Sequence, residues 1–281
     1  MRVSATRGAY LDVGWGQVHY RTAQPSATEP LLVILHQSPL SSKRYELALP
    51  LLASRVRPVA IDTPGYGASG RPPREWEVEE YAELVWQLVD EFGHNSAILL
   101  GRATGAVFAL EAAVRQPARC LALVLHGFPL YTPEERASRA AGFADPYRVD
   151  ASGSHLRALW TRIYDQYPGL DPMLASSFVE DYLAAGPDYA AGYRAIWRHD
   201  PQESLEALSC PTVLLSGTRD RVLTMHRRAT ERLGHARSVI LEGATDFVAE
   251  QQPELFVSAV LGALDDLGAL APRDDDALRE A

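Results

Sequence analysis

Short apolar strand patterns alternate with helical ones along most of this chain, and that alternation constrains the fold more than any other feature. Residues 31–35 form a continuous apolar run, as in a strand buried on both faces. Residues 56–61, 96–100, 120–126 and 212–216 repeat the pattern, and 238–241 is a weaker instance. Between them, residues 78–92 carry apolar side chains at 78, 81, 82, 85, 89 and 92. That spacing predicts a helix, which Gly93 can close. Residues 104–116 are apolar on nearly every side, which predicts a buried helix ended by Pro117. Phe256, Val260, Ala263, Leu264 and Leu267 mark a last helix beginning at Pro253. Near the start, residues 9–13 and 17–22 flank Gly14-Trp15-Gly16 and read as a hairpin. The alternation predicts an α/β fold with a mostly parallel central sheet, helices on both faces, and ligands at the carboxyl ends of the strands.

One stretch departs from this rhythm. Residues 128–200 show no strand pattern and several helix signals. Asp171-Pro172 opens one helix, Gly186-Pro187 closes it, and Asp188 opens the next. A further helix sets Leu156, Leu159, Trp160, Ile163, Tyr164 and Tyr167 on one face. The segment is about a quarter of the chain yet holds 12 of its 24 aromatic residues. These aromatics either pack a helical subdomain or line a pocket, and an inserted lid does both. The expected organisation is a core of residues 1–127 and 201–270, a helical lid at 128–200, and a flexible polar tail at 271–281 containing Asp274-Asp275-Asp276.

Composition narrows the class of function. The 281 residues suffice for one core with an insertion. A net charge of −9, with no basic block, argues against nucleic-acid partners, which require phosphate neutralisation. Lys43 is the one lysine among 27 cationic residues. Cys120 and Cys210 each start an apolar run and read as small buried hydrophobes, not a disulfide framework. No apolar stretch reaches the roughly 18 residues of a membrane span, and the first residues lack a signal peptide's apolar centre. A cytoplasmic protein with no membrane association is expected. No His-Glu-x-x-His, Cys-x-x-Cys or glycine-rich phosphate loop occurs, so no metal and no cofactor is expected. The expected partner is a small molecule, and the sequence leaves a homodimer open.

Five motifs, in order, carry a resemblance. Residues 31–39 end in His36-Gln37-Ser38-Pro39. Asp62-Thr63-Pro64-Gly65-Tyr66-Gly67-Ala68-Ser69 follows the next strand. Gly101-Arg102-Ala103-Thr104-Gly105 lies between a strand and the buried helix. Ser216-Gly217-Thr218-Arg219-Asp220 and Gly243-Ala244-Thr245-Asp246-Phe247 come last. Over roughly residues 9–267 the chain resembles the α/β-hydrolase fold superfamily. The resemblance makes these segments the oxyanion turn, the D-x-P-G-x-G-x-S loop, the nucleophile elbow, the acid strand end and the histidine turn.

The same resemblance argues against the family's usual chemistry. The elbow residue is Ala103, which cannot attack a substrate. The base position is Asp246 instead of histidine, and only the acid position, Asp220, is kept. The backbone N–H of Thr104, with that of Gln37 or Ser38, is expected to form a retained oxyanion hole at a helix N-terminus. Asp246 facing Asp220 should have a raised pKa and could move a proton; alternatively it is paired to Arg102, Arg219 or Arg221. His126, ending its strand, is the expected substitute base. His36, Phe128, Tyr131, Trp160, Tyr164, Trp197, His199 and Phe247 are the expected pocket residues.

Three functions follow as expectations. The favoured one is a non-serine, non-hydrolytic enzyme of isomerase, cyclase, lyase or decarboxylase type, acting on a small apolar or aromatic molecule. The others are an inactive small-molecule-binding protein and a hydrolase that activates water directly.

Overall fold

The computed structural model describes residues 5–24, 30–143 and 147–270. The expected tail at 271–281 lies outside the described residues. Eight strands form one sheet: β1 (Arg7–Val13), β2 (Gly16–Thr22), β3 (Leu31–Leu35), β4 (Arg57–Ile61), β5 (Ala97–Arg102), β6 (Cys120–His126), β7 (Thr212–Arg219) and β8 (Arg237–Thr245). Their order is β1-β2-β4-β3-β5-β6-β7-β8. The hairpin β1–β2 and the β2–β4 pair are antiparallel, and every other pair is parallel.

The continuous apolar runs are explained by period-two burial against two helical layers. Leu31, Val33 and Leu35 of β3 face a core that includes Val85 of the helix Val78–Glu91 and Phe108 of the helix Thr104–Arg115. Leu32 and Ile34 face the opposite core with Phe256 and Val260 of the helix Pro253–Asp266. Residues of β5 and β6 divide in the same way. A strand with both faces covered has no polar side, so alternation disappears from its sequence. The chain passes from β3 to β4 on one side of β3 and returns to β5 on the other. The carboxyl ends of β3 and β5 therefore flank the switch point at which this class of sheet opens a crevice.

Helix ends follow their local chemistry. Glu77 and Glu80 make a reciprocal capping box at the start of Val78–Glu91. Asp171 caps Pro172–Ala185 by accepting from the N–H groups of Met173 and Leu174 at 2.9 and 3.1 Å. Between residues 128 and 200 the described elements are Pro133–Gly142, Ser154–Gln166, Pro172–Ala185, a 3₁₀ turn at Gly186–Asp188, and Ala191–Arg198. Asp188 thus ends a turn instead of starting a helix. In Ser154–Gln166, Leu159 and Ile163 are buried while Leu156 and Trp160 are exposed. The predicted apolar face is therefore split: Leu159 and Ile163 join an apolar cluster, with Tyr164 and Tyr167 packed partly against it.

These helices share a third apolar cluster, in which Phe178, Tyr182 and Tyr189 meet Leu40, Tyr66 and Phe247 of the core. Ion pairs add to the seam: Arg71 with Asp188, Arg198 with Glu77, and Arg44 with Asp181. Cys120 and Cys210 are buried free thiols. Among the described residues, no helix is long and apolar enough to cross a membrane.

Candidate functional site

The site begins at the sharp turn between β5 and the helix Thr104–Arg115. Ala103 has φ 49° and ψ −111°, and among the described residues it is the one non-glycine with positive φ. An alanine there stores roughly 1–3 kcal/mol of backbone strain. The turn is tight because a Cβ on Gly101 would meet the Gly105 carbonyl, and one on Gly105 would meet the Leu35 carbonyl. The strained elbow persists although its apex carries only a methyl group.

The turn after β3 faces this apex. The Ser38 N–H donates to Thr104 Oγ1 at 2.7 Å, and the Thr104 hydroxyl contacts Ser38 Oγ at 3.1 Å. Ser38 is therefore not a free oxyanion donor, which corrects the expectation for it. The Thr104 side chain points into this contact at the start of the helix Thr104–Arg115. His36 lies behind the turn, where Nε2 accepts from the Thr63 N–H at 2.9 Å and Nδ1 donates to the Gln37 carbonyl at 3.0 Å. Burial lowers its pKa. It shapes the loop and does not line the cavity. Asp62 organises the same loop, taking N–H bonds from Ser42 and Ala68 and bonding His19 at 2.8 Å. Burial alone would raise its pKa, but the His19 and backbone contacts prevail and hold it at about 2.

Arg102 decides the electrostatics. Its side chain turns under the elbow and is buried. Nη2 lies 3.2 Å from Asp220 Oδ2 and 3.1 Å from Asp246 Oδ1. Nε donates to the Asp246 carbonyl and Nη1 to the Gly127 carbonyl, each at 3.2 Å. Gly127 has φ 55°, and a Cβ there would strike the guanidinium. Burial would disfavour the charged guanidinium, but Asp220 and Asp246 outweigh burial and keep it charged. Asp246 also accepts from the Arg221 N–H and Nε, both at 3.2 Å. Asp220 accepts from the Val222 N–H at 2.9 Å. The two carboxylates are thus bridged by a cation instead of sharing a proton. The paired alternative expected for Asp246 is the arrangement observed.

His126 is not placed to act as a base either. As residue 126 it shares the sheet face of Ala122 and Val124, and its ring lies 5.6 Å from that of Phe256. Both ring nitrogens lack hydrogen-bond partners. Burial, and then Arg102, lower its pKa well below the usual imidazole range. With His36 it lines a void of about 10 Å³ beneath the site.

Above the elbow lies a cavity of about 480 Å³. Its floor includes Gln37, Ala103, Thr104 and Asp246, and its walls include Tyr131 and Trp197. Four other expected pocket residues lie elsewhere: Phe128 is in the core, Trp160 and Tyr164 are on the helix Ser154–Gln166 and do not line the cavity, and His199 lies near Glu79 and Glu111. Phe247 borders a neighbouring cavity of about 410 Å³ that shares Asp246. Sequence reasoning missed Arg139, Phe143, Arg162, Tyr167 and Tyr193, all from the segment between residues 128 and 200. Tyr193 donates to the Ser38 carbonyl at 2.6 Å, joining that segment to the turn after β3. Among the described residues, no three His, Cys, Asp or Glu side chains converge as metal ligands.

An eight-stranded mostly parallel sheet with a strained strand-to-helix elbow at its switch point defines the α/β-hydrolase class. The model of the alpha/beta hydrolase family matches residues 32–259, and the chain belongs to that family. It is 25% identical over 252 residues to the 2-(acetamidomethylene)succinate hydrolase of Mesorhizobium japonicum, covering 84% of this chain and 88% of that one. It is 24% identical over 275 residues to haloalkane dehalogenase 2 of Mycobacterium tuberculosis, covering 90% and 93%. A crystal structure of a membrane phospholipase A superposes with a TM-score of 0.77 at 23% identity, covering 95% of this chain and 88% of that one. At such identities the structural likeness concerns the fold.

Proposed function

We propose that this chain binds a small molecule under its lid and does not transform it. The observation that carries this reading is the Arg102 bridge between Asp220 and Asp246 beside an elbow whose apex is Ala103. Covalent hydrolysis needs a nucleophile and a base that exchanges a proton near neutral pH. A methyl group supplies no nucleophile, and a guanidinium stays protonated throughout that range. What remains is a cavity of about 480 Å³, within the range of small-molecule sites, with amide donors at its floor.

A second reading keeps the chain an enzyme. It is favoured by Asp246, whose carboxylate borders the cavity beside the Gln37 and Thr104 amides. There it could accept a substrate proton while the amides hold an enolate, as in an isomerase, cyclase, lyase or decarboxylase. A water-activating hydrolase would use the same carboxylate. The test is 4-nitrophenyl acetate with intact-protein mass spectrometry. The binding reading expects no burst, no acyl adduct and no release above the buffer rate. Steady release that disappears in Asp246→Asn would replace it with the water-activating one.

A further inference from the structure

The chain is acidic overall, but its cavity is not. Four arginines border the cavity: Arg102, Arg139, Arg162 and Arg221. Asp246 is the one carboxylate among the described residues on its wall. Counting Asp220 beneath it, two carboxylates serve Arg102 and Arg221. No described carboxylate forms an ion pair with Arg162, whereas Arg139 is exposed and acts on Glu135, which is itself paired to Arg228.

Arg162 is the sharper case. It projects from the lid helix Ser154–Gln166 and is half-buried. Its guanidinium carbon lies 5.3 Å from the ring centres of both Phe143 and Tyr189, and it contacts Tyr182. Its Nε is buried without a hydrogen-bond partner. Arg139 sits 4.8 Å over the Tyr131 ring. Aromatic faces hold these cations in position but do not neutralise them. A desolvated cation with an unmet N–H is costly, and an incoming anion removes that cost. The planar fork of arginine matches a carboxylate in two parallel hydrogen bonds.

The remaining wall fits a flat body. Tyr193 and Trp197 are stacked at 5.7 Å with 14° between their planes, and Phe143 lies 5.0 Å from Trp197. Stacking surfaces of this kind favour an aromatic or conjugated group.

Resting on the binding reading above, we infer that the ligand is a small aryl or conjugated carboxylate. Its carboxylate pairs with Arg162 and Arg139 of the lid, and its flat body lies along Phe143, Tyr193 and Trp197. The floor amides of Gln37 and Thr104 remain for a polar group at the far end.

Calorimetric titration with cinnamate and with neutral cinnamamide tests this. Cinnamate should bind at least tenfold more tightly than cinnamamide, and its affinity should fall with added salt. Arg162→Ala should weaken cinnamate tenfold or more and leave cinnamamide unchanged, while Arg162→Lys restores part of the loss. Circular dichroism would verify that each variant is folded. Equal binding of acid and amide, or an unaffected Arg162→Ala, overturns the charge inference while leaving the binding reading intact. Failure of both probes to bind overturns the inference as well. The binding reading itself fails separately, through Asp246-dependent turnover.

Discussion

Arg102 Nη2 lies 3.1 Å from Asp246 Oδ1, beneath an elbow that carries no nucleophile. A single guanidinium is a shared counter-ion of both the Asp220 and Asp246 carboxylates. Breaking a buried ion pair from one side costs roughly 3–5 kcal/mol, because the partner charge is stranded. Arg102→Met should therefore destabilise the protein by about that amount at pH 7. Denaturant unfolding at pH 7 measures the loss, and an Arg102→Met variant as stable as the natural protein would contradict the bridging role.

Strain at Ala103 makes a second prediction. Glycine adopts φ 49° without the Cβ penalty, so Ala103→Gly should stabilise the fold by about 1 kcal/mol despite its greater unfolded-state entropy. A rise in thermal midpoint checks this. Destabilisation would mean that the methyl group packs favourably enough to offset the strain.

A buried acid pair predicts a pH-dependent stability. Asp181 of the helix Pro172–Ala185 accepts from Ser41 Oγ at 2.8 Å and lies 3.3 Å from Arg44, which is 4.0 Å from Glu250. Burial pushes Asp181 up to about 6 and Glu250 up to about 7, with Arg44 opposing both shifts. A raised folded-state pKa contributes stability that is complete below the unfolded value and lost as pH rises through the folded one. Stability should fall between about pH 4 and pH 8, by a ceiling of roughly 3 kcal/mol for each of the two groups, since each is raised by about two units. Thermal midpoints across that range should decline for the natural protein. In Glu250→Gln the decline should be shallower at the upper end; an unchanged slope would exclude Glu250 as its source.

Much of the core was legible because its signals are local. Apolar runs mark strands with two covered faces, and the glycines at 101 and 105 mark a close approach. Asp171-Pro172 carries its own cap. The site was legible only as positions. Ala103, Asp220 and Asp246 follow from motif order, but the Arg102 side chain could have pointed to solvent. A hint existed: an arginine ending the buried strand Ala97–Arg102 requires counter-charges, and Gly127 leaves it room. His126 was misjudged from strand-end position alone. Period two already assigned it to the face of Ala122 and Val124, away from the cavity. The helices Pro133–Gly142 and Leu223–Arg232 escaped notice because they are mostly polar, with few or no buried side chains. Their placement comes from tertiary contacts such as Arg228 with Glu135.

A hydroxyl at the elbow should not by itself give catalysis. Ala103→Ser supplies one, yet Arg102 occupies the space between Asp220 and Asp246, and among the described residues no imidazole borders the cavity. Activity toward 4-nitrophenyl acetate should stay at the buffer rate. A burst of 4-nitrophenol would show that some group near the elbow can act as base.

The central claim is that the cavity binds its ligand without moving a proton. Phenylpyruvate tests this directly, because it joins an aromatic ring and a carboxylate to an acidic methylene. Proton NMR in deuterated buffer follows both its binding and the exchange of that methylene. The account predicts saturable binding with exchange at the buffer rate, in the natural protein and in Asp246→Asn alike. Exchange accelerated by the natural protein and abolished in Asp246→Asn would contradict it and make Asp246 a catalytic base.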